Sequence, residues 1–227
     1  MLFKEKRHQR RFISRNWGRF GCEGTGVLAL IWALGYYYSD FMSKYLFIFS
    51  SLFLALGIHS GCSQTIITFP VADGFDFPVG PPNARKYYNA NPFGTDLHLG
   101  DDWNGVGGGN TDFGDPVYSI GIGIVSVAED FGPGWGNVVR VLHNIGTFDQ
   151  PQLIESLYAH LDKMHVAVGD TLQRGQQLGT IGDAHGAYYA HLHLEIRSKA
   201  GMPLGGGYSE NTAGYLDPTK FIKARRP

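Results

Sequence analysis

His191-Leu192-His193-Leu194 is the run that most restricts the fold open to this chain. In an extended strand successive side chains leave opposite faces, so the two leucines point one way and the two imidazoles the other. The leucines require a core on their side. The imidazoles, a few Å apart, require a polar surface or a shared ligand on theirs. The chain around this run is built of short pieces of the same kind. Val117–Ile120, Ile122–Ala128, Asn137–His143, Leu153–Leu161, Leu178–Ile181 and Ala190–Ile196 all read as strands, with Val166–Asp170 and Leu172–Gln176 as a turn-rich hairpin. Asp115-Pro116, Gly132-Pro133-Gly134 and many of the 32 glycines punctuate them. Short strands at close spacing with Gly and Asp turns indicate an all-β, mostly antiparallel fold. Helical periodicity is weak after the leader, apart from Pro218–Lys223.

The first third of the chain has a different character. Residues 1–20 carry seven Lys/Arg against one Glu, whereas from Ser63 onward eleven Lys/Arg face seventeen Asp/Glu. An acidic body behind a basic leader excludes nucleic-acid binding by the body and fits a cationic flank retained on the cytoplasmic side of a membrane. Tyr45–Ile58 is 14 residues without a charge, the length of a signal-peptide core rather than a full span. His59-Ser60-Gly61-Cys62 follows it, so the expectation is a lipoprotein-like leader in which Cys62 is lipidated, with an uncleaved anchor helix as the alternative. Met42-Ser43-Lys44 is the expected start of translation. The expected organisation is leader and signal or anchor over 1–61, a short tether over 62–75, and one domain over 76–227.

Three clusters carry chemistry. They are His98-Leu99-Gly100-Asp101-Asp102, Tyr158-Ala159-His160 and the His191/His193 pair. The only cysteines are Cys22 and Cys62, so a metal in the body has to be held by imidazole and carboxylate. Zinc accepts both in a tetrahedral shell, and three protein ligands with one open position mark a catalytic site. His98 and Asp102, on a loop running into a strand, and His193, on its own strand, are the expected ligands of one zinc ion. Gly100 is expected to let the backbone bend between the first two. A water in the fourth position would ionise near pH 7. His160 and His191 are then free to act as base and as donor to the developing oxyanion or leaving group. The bland readings are a satisfied core or surface residue for His143 and His165, a loop residue for His185, and a turn or solvated role for Asp101.

HLGDD at 98–102, GDPV at 114–117, YAHL at 158–161, VGDTLQRGQQLGTIG at 168–182 and HLHLEIR at 191–197 together resemble the M23 zinc peptidases of the LytM and lysostaphin type. The resemblance runs over roughly 94–222. It implies a β structure with a loop-walled groove and zinc ligands at His98, Asp102 and His193. It also implies catalytic histidines at His160 and His191, and peptidoglycan peptide stems as substrate at the bacterial cell envelope. The rival function within the family is a non-catalytic envelope protein that binds or activates another wall hydrolase, and such members have lost ligands. A carbohydrate-binding β-domain explains none of the histidines. Two insertions depart from the pattern, 103–113 (WNGVGGGNTDF) and 149–155, and both could shape the groove.

Overall fold

A computed structural model describes residues 68–227. The basic leader, the Tyr45–Ile58 run, Met42 and Cys62 lie outside the described residues. Among the described residues ten strands form one sheet: β1 Tyr87–Asn91, β2 Asp101–Gly105, β3 Pro116–Tyr118, β4 Gly123–Asp130, β5 Asn137–Asn144, β6 Leu153–Met164, β7 Thr171–Leu172, β8 Gln177–Ile181, β9 Leu192–Arg197 and β10 Tyr215–Leu216. The main path runs β1-β2-β9-β6-β5-β4-β7, with β10 added to β9 and β8 joining β6 to β3. Each of these pairings is antiparallel. An α-helix, α1 (Pro218–Ala224), follows Asp217, whose carboxylate accepts from the Lys220 N–H and caps it. This is the Asp-then-Pro start that helices favour.

The antiparallel β architecture is the expected one, with differences in detail. β1 is not among the expected strands, because Tyr87-Tyr88-Asn89-Ala90-Asn91 lacks an aliphatic run. The expected hairpin over 166–176 is instead two loops around the two-residue β7, which pairs with β4. Residues 68–75, read from the sequence as tether, lie against the domain. Val71 bridges Asn144, the Ala72 N–H donates to the Asn144 carbonyl, and the Phe75 ring packs edge-on to Phe221 at 5.0 Å.

The aliphatic face of β9 (Leu192, Leu194, Ile196) is fully buried with Tyr158, Ile181, Val139 and Phe75. Inside this core sits a polar chain. The Ile120 N–H donates to the Tyr158 hydroxyl, whose own proton goes to Ser156 Oγ at 3.1 Å. The Ser156 hydroxyl donates to His143 Nε2 at 2.8 Å, and His143 Nδ1–H donates to the Ile122 carbonyl at 2.9 Å. His143 is therefore a satisfied core residue. Burial pushes its pKa down to about 4, against a smaller opposing effect of the Ile122 bond. The neutral ring is the folded form, while an unfolded chain takes up a proton near pH 6.5. Stability from this group is present above pH 6.5 and drains away as pH falls toward 4. Urea unfolding of the full chain in chelator should lose about 3 kcal/mol over that window on account of His143. His143→Gln, which keeps a donor and an acceptor, should flatten the loss. Parallel pH profiles for the two proteins would rule the assignment out.

Candidate metal centre and groove

The register of three strands assembles the centre. On β9, His193 stands opposite Asp102 of β2 on one side and Ala159 of β6 on the other. Directly opposed residues share a face, so Asp102 and His193 project together, on the side away from the core. His98 arrives from the loop four residues before Asp102, closed by its N–H to the Thr95 carbonyl.

The three side chains present His98 Nε2, Asp102 Oδ1 and His193 Nδ1 to a common point. The donor separations are 3.0 Å between the two nitrogens, 3.3 Å from His98 Nε2 to Asp102 Oδ1 and 2.9 Å from His193 Nδ1 to the same oxygen. Donors in a tetrahedral zinc shell at bond lengths of about 2.0–2.1 Å lie roughly 3.3 Å apart, so the triangle fits such an ion. The outer atoms fit as well. His98 Nδ1 lies 3.0 Å from the Asn91 carbonyl and donates to it, which leaves the lone pair on Nε2. His193 Nε2 lies 3.2 Å from Glu195 Oε1, which leaves the lone pair on Nδ1. Each ring is set in the tautomer a metal ligand needs.

Without a metal the same atoms form a charged hydrogen-bonded group. Burial alone would depress the His193 imidazole, but its bonds to Asp102 and Glu195 outweigh that and raise it to about 9. Burial alone would raise the Asp102 carboxyl, but bonds from His193 and His98 hold it well below the usual carboxylate range.

His160 and His191 face the same point from the far wall. Their rings lie 4.7 Å apart, with His160 5.6 Å from the His193 ring. His191 Nε2 is 3.7 Å from Asp102 Oδ1. Both rings are tied by Nδ1 to a backbone carbonyl, His191 to Tyr189 at 2.8 Å and His160 to Trp135 at 3.2 Å. In the neutral tautomer that donates there, Nε2 is the free lone pair. Burial, with the His193 and His191 charges adding to it, pushes His160 down to about 3.

His160 reaches this side by breaking the strand pattern. Strict alternation along β6 would send it to the core side with Tyr158. Instead its backbone is left-handed, φ 62°, at the point where β6 leaves β9 and turns to β8. A non-glycine residue held there is strained by about 1 kcal/mol or more. The Trp135 carbonyl accepts the His160 N–H at 2.9 Å and holds it in place. Gly182 makes the turn possible from the other strand, since a Cβ there would lie 2.5 Å from the His160 carbonyl oxygen.

The groove over these groups has a volume of about 410 Å³ and is walled by Trp135, Tyr188, Tyr208, Gly134, Gly206 and Gly207. Trp135 stacks beside His160 at 6.2 Å, Tyr188 packs on it at 5.1 Å, and Tyr208 lies 5.0 Å from His98. These three aromatics were not singled out in the sequence. Each lies on a loop whose position only the folded chain decides.

Several expectations need correction. Asp101 is buried, not solvated: it accepts from the Phe93 N–H at 2.9 Å and the Thr219 hydroxyl at 2.6 Å, and so anchors the loop that delivers His98. Gly100 serves close approach, because a Cβ there would lie 2.8 Å from His193 Cε1 and 2.5 Å from the Leu194 carbonyl oxygen. The insertion at 103–113 folds back on the start of β9, with Asn110 Oδ1 accepting from the Ala190 N–H at 2.8 Å. The segment 149–155 does not reach the groove. It joins β5 to β6 at the Asn144–Leu153 end, seven residues or roughly 23 Å along the strand from His160. Two others stand as expected: His185 is an exposed loop residue bonded to Asp130 at 2.9 Å, and His165 is an exposed surface residue.

The model of a family described as Peptidase family M23 matches residues 102–204; His98 lies four residues before that segment. The chain is 32% identical to "Glycyl-glycine endopeptidase ALE-1" of Staphylococcus capitis, over 53% of this chain and 31% of that protein. It is 32% identical to "Peptidoglycan DD-endopeptidase ShyB" of Vibrio cholerae, over 44% of this chain and 24% of that protein. It is 31% identical to "Lipoprotein NlpD" of Yersinia enterocolitica, over 45% of this chain and 91% of that protein. Of the first two relatives the chain spans about a third or less of the length.

Proposed function

The chain belongs to peptidase family M23, and from that premise we propose that it is a zinc metalloendopeptidase that hydrolyses peptide crosslinks of bacterial peptidoglycan. The observation that carries the proposal is the donor triangle of His98, Asp102 and His193 with the His160 and His191 rings lining the same groove beside it. In this reading those three residues hold one zinc ion. The ion supplies Lewis acidity and brings the ionisation of a water to about pH 7. His160 and His191 divide the proton traffic: one Nε2 accepts the proton of the attacking water, and a proton returns from this pair to the leaving amine. The two Nδ1–H···O=C bonds hold both rings ready for this without rotation. The aromatic walls orient the peptide, and the glycines opposite leave room for its backbone.

The similarity to a glycyl-glycine endopeptidase, ALE-1, and a peptidoglycan DD-endopeptidase, ShyB, supports a wall peptide as substrate. The name of NlpD and the lipobox-like Cys62 support a membrane-anchored place in the cell envelope. The set of five side chains is complete, which favours an enzyme over a non-catalytic partner of another wall hydrolase.

The deciding experiment is mass spectrometry of fragments released from purified sacculi by the full chain, with and without a chelator. Soluble muropeptides with new amino termini should appear, vanish with the chelator and return with added zinc. Stoichiometric zinc without any released fragment would favour the non-catalytic reading instead.

A further inference from the structure

The face of β9 that carries His193 continues with Glu195 and Arg197, at the two-residue spacing of a strand. All three are buried. We propose that Glu195 and Arg197 are positioning residues, a buried ionic relay that sets the His193 ring for the metal and ties it to the groove wall. The inference rests on the metal reading above.

Glu195 Oε2 receives Arg197 Nε at 2.8 Å and Nη2 at 2.6 Å. A carboxylate gripped this way is ionised and can only accept. Its other oxygen lies 3.2 Å from His193 Nε2, so that nitrogen carries the proton and the lone pair stays on Nδ1, facing His98 and Asp102. Partners of this kind raise the basicity of a ligating imidazole and hold its orientation.

Arg197 has a second attachment. Its Nη1 donates to the Pro203 carbonyl at 3.1 Å and to Met202 at 3.3 Å, and Nη2 donates to the Leu204 carbonyl at 2.8 Å. Residues 202–204 lead into Gly206, Gly207 and Tyr208 on the groove wall. One guanidinium thus holds the carboxylate behind the ligand and the backbone that carries the wall. Lysine has no planar fork to do both.

The same buried region offers a control. Glu155 is buried beside Arg140 (3.3 Å), accepts from the Gly201 N–H at 3.1 Å and lies 3.9 Å from Arg197 Nη1 on the side away from Glu195, so it touches the far end of the relay, but its hydrogen bonds and ion pairs do not include His193. A residue of this network whose role is only structural should behave like Glu155.

The test measures zinc affinity of the full chain by competition with a chromophoric chelator, the visible absorption of the cobalt-loaded protein, and thermal unfolding. Glu195→Gln should stay folded, bind zinc about 10- to 100-fold more weakly and shift the cobalt bands. Glu155→Gln should lower the unfolding temperature while leaving affinity within about twofold. If Glu195→Gln fails to fold, Glu195→Asp keeps the charge beside Arg197 but retracts it from His193, and should show the same loss of affinity. Unchanged affinity and cobalt bands in the Glu195 variant would overturn the inference, as would an equal loss in Glu155→Gln. If the unaltered chain takes up no zinc, the metal reading itself falls; uptake indifferent to Glu195 sinks the relay alone.

Discussion

Alanine at His193 should leave the full chain without stoichiometric zinc and without hydrolysis of sacculi. The substitution removes one vertex of the donor triangle, and His98 and Asp102 alone are two ligands, one short of the set a catalytic zinc needs. The loss of affinity should far exceed the roughly 100-fold that removal of an outer hydrogen-bond partner costs. A second sign accompanies it in the unaltered protein. The metal-free His193 imidazole is raised to about 9, so metal and proton compete for Nδ1. Below that pH the protonated form dominates, and zinc affinity should rise about tenfold per unit as pH climbs from 6 to 8. Metal analysis after gel filtration, fragment release and circular dichroism together read the result. Zinc retained at one per chain, or hydrolysis retained, would refute the ligand assignment.

His191→Ala should do something different: one zinc per chain stays bound and turnover falls by about 10²- to 10⁴-fold, the usual contribution of a positioned proton-transfer group. The separation follows from geometry. His191 Nε2 approaches Asp102 Oδ1 only to 3.7 Å, outside the triangle, and its ring is held by the Tyr189 carbonyl rather than by the centre. His160→Ala should behave alike, since its tether is the Trp135 carbonyl. A variant that loses zinc along with turnover would place His191 among the ligands. One that keeps near-normal turnover would leave the proton transfers to other groups.

Much of the site could be read from residue order. His191 and His193 stand two apart in an alternating run, a thiol-free body has to bind metal through imidazole and carboxylate, and the resemblance of HLGDD to the M23 motif implies His98 and Asp102 as the partners of His193. Glu195 and Arg197 were legible by the same alternation but were passed over, because buried charge looks from sequence like a solvated strand end. Trp135, Tyr188 and Tyr208 had no signal of this kind, since a loop carries no periodicity to say where its side chains go. Asp101 was misplaced for a related reason. Its partners, Phe93 and Thr219, are 8 and 118 residues away, and nothing local distinguishes it from a turn aspartate.

The amino-acid order on its own determined the strand class and made the five candidate side chains legible, because period-two alternation and residue chemistry are local properties. Only the tertiary structure decided that they meet. That depends on Asp102 and Ala159 flanking His193 in register and on the left-handed kink that swings His160 off the core face. Register is fixed by burial of Leu192, Leu194 and Ile196 against distant strands, and a slip of one residue would turn every imidazole to the wrong side.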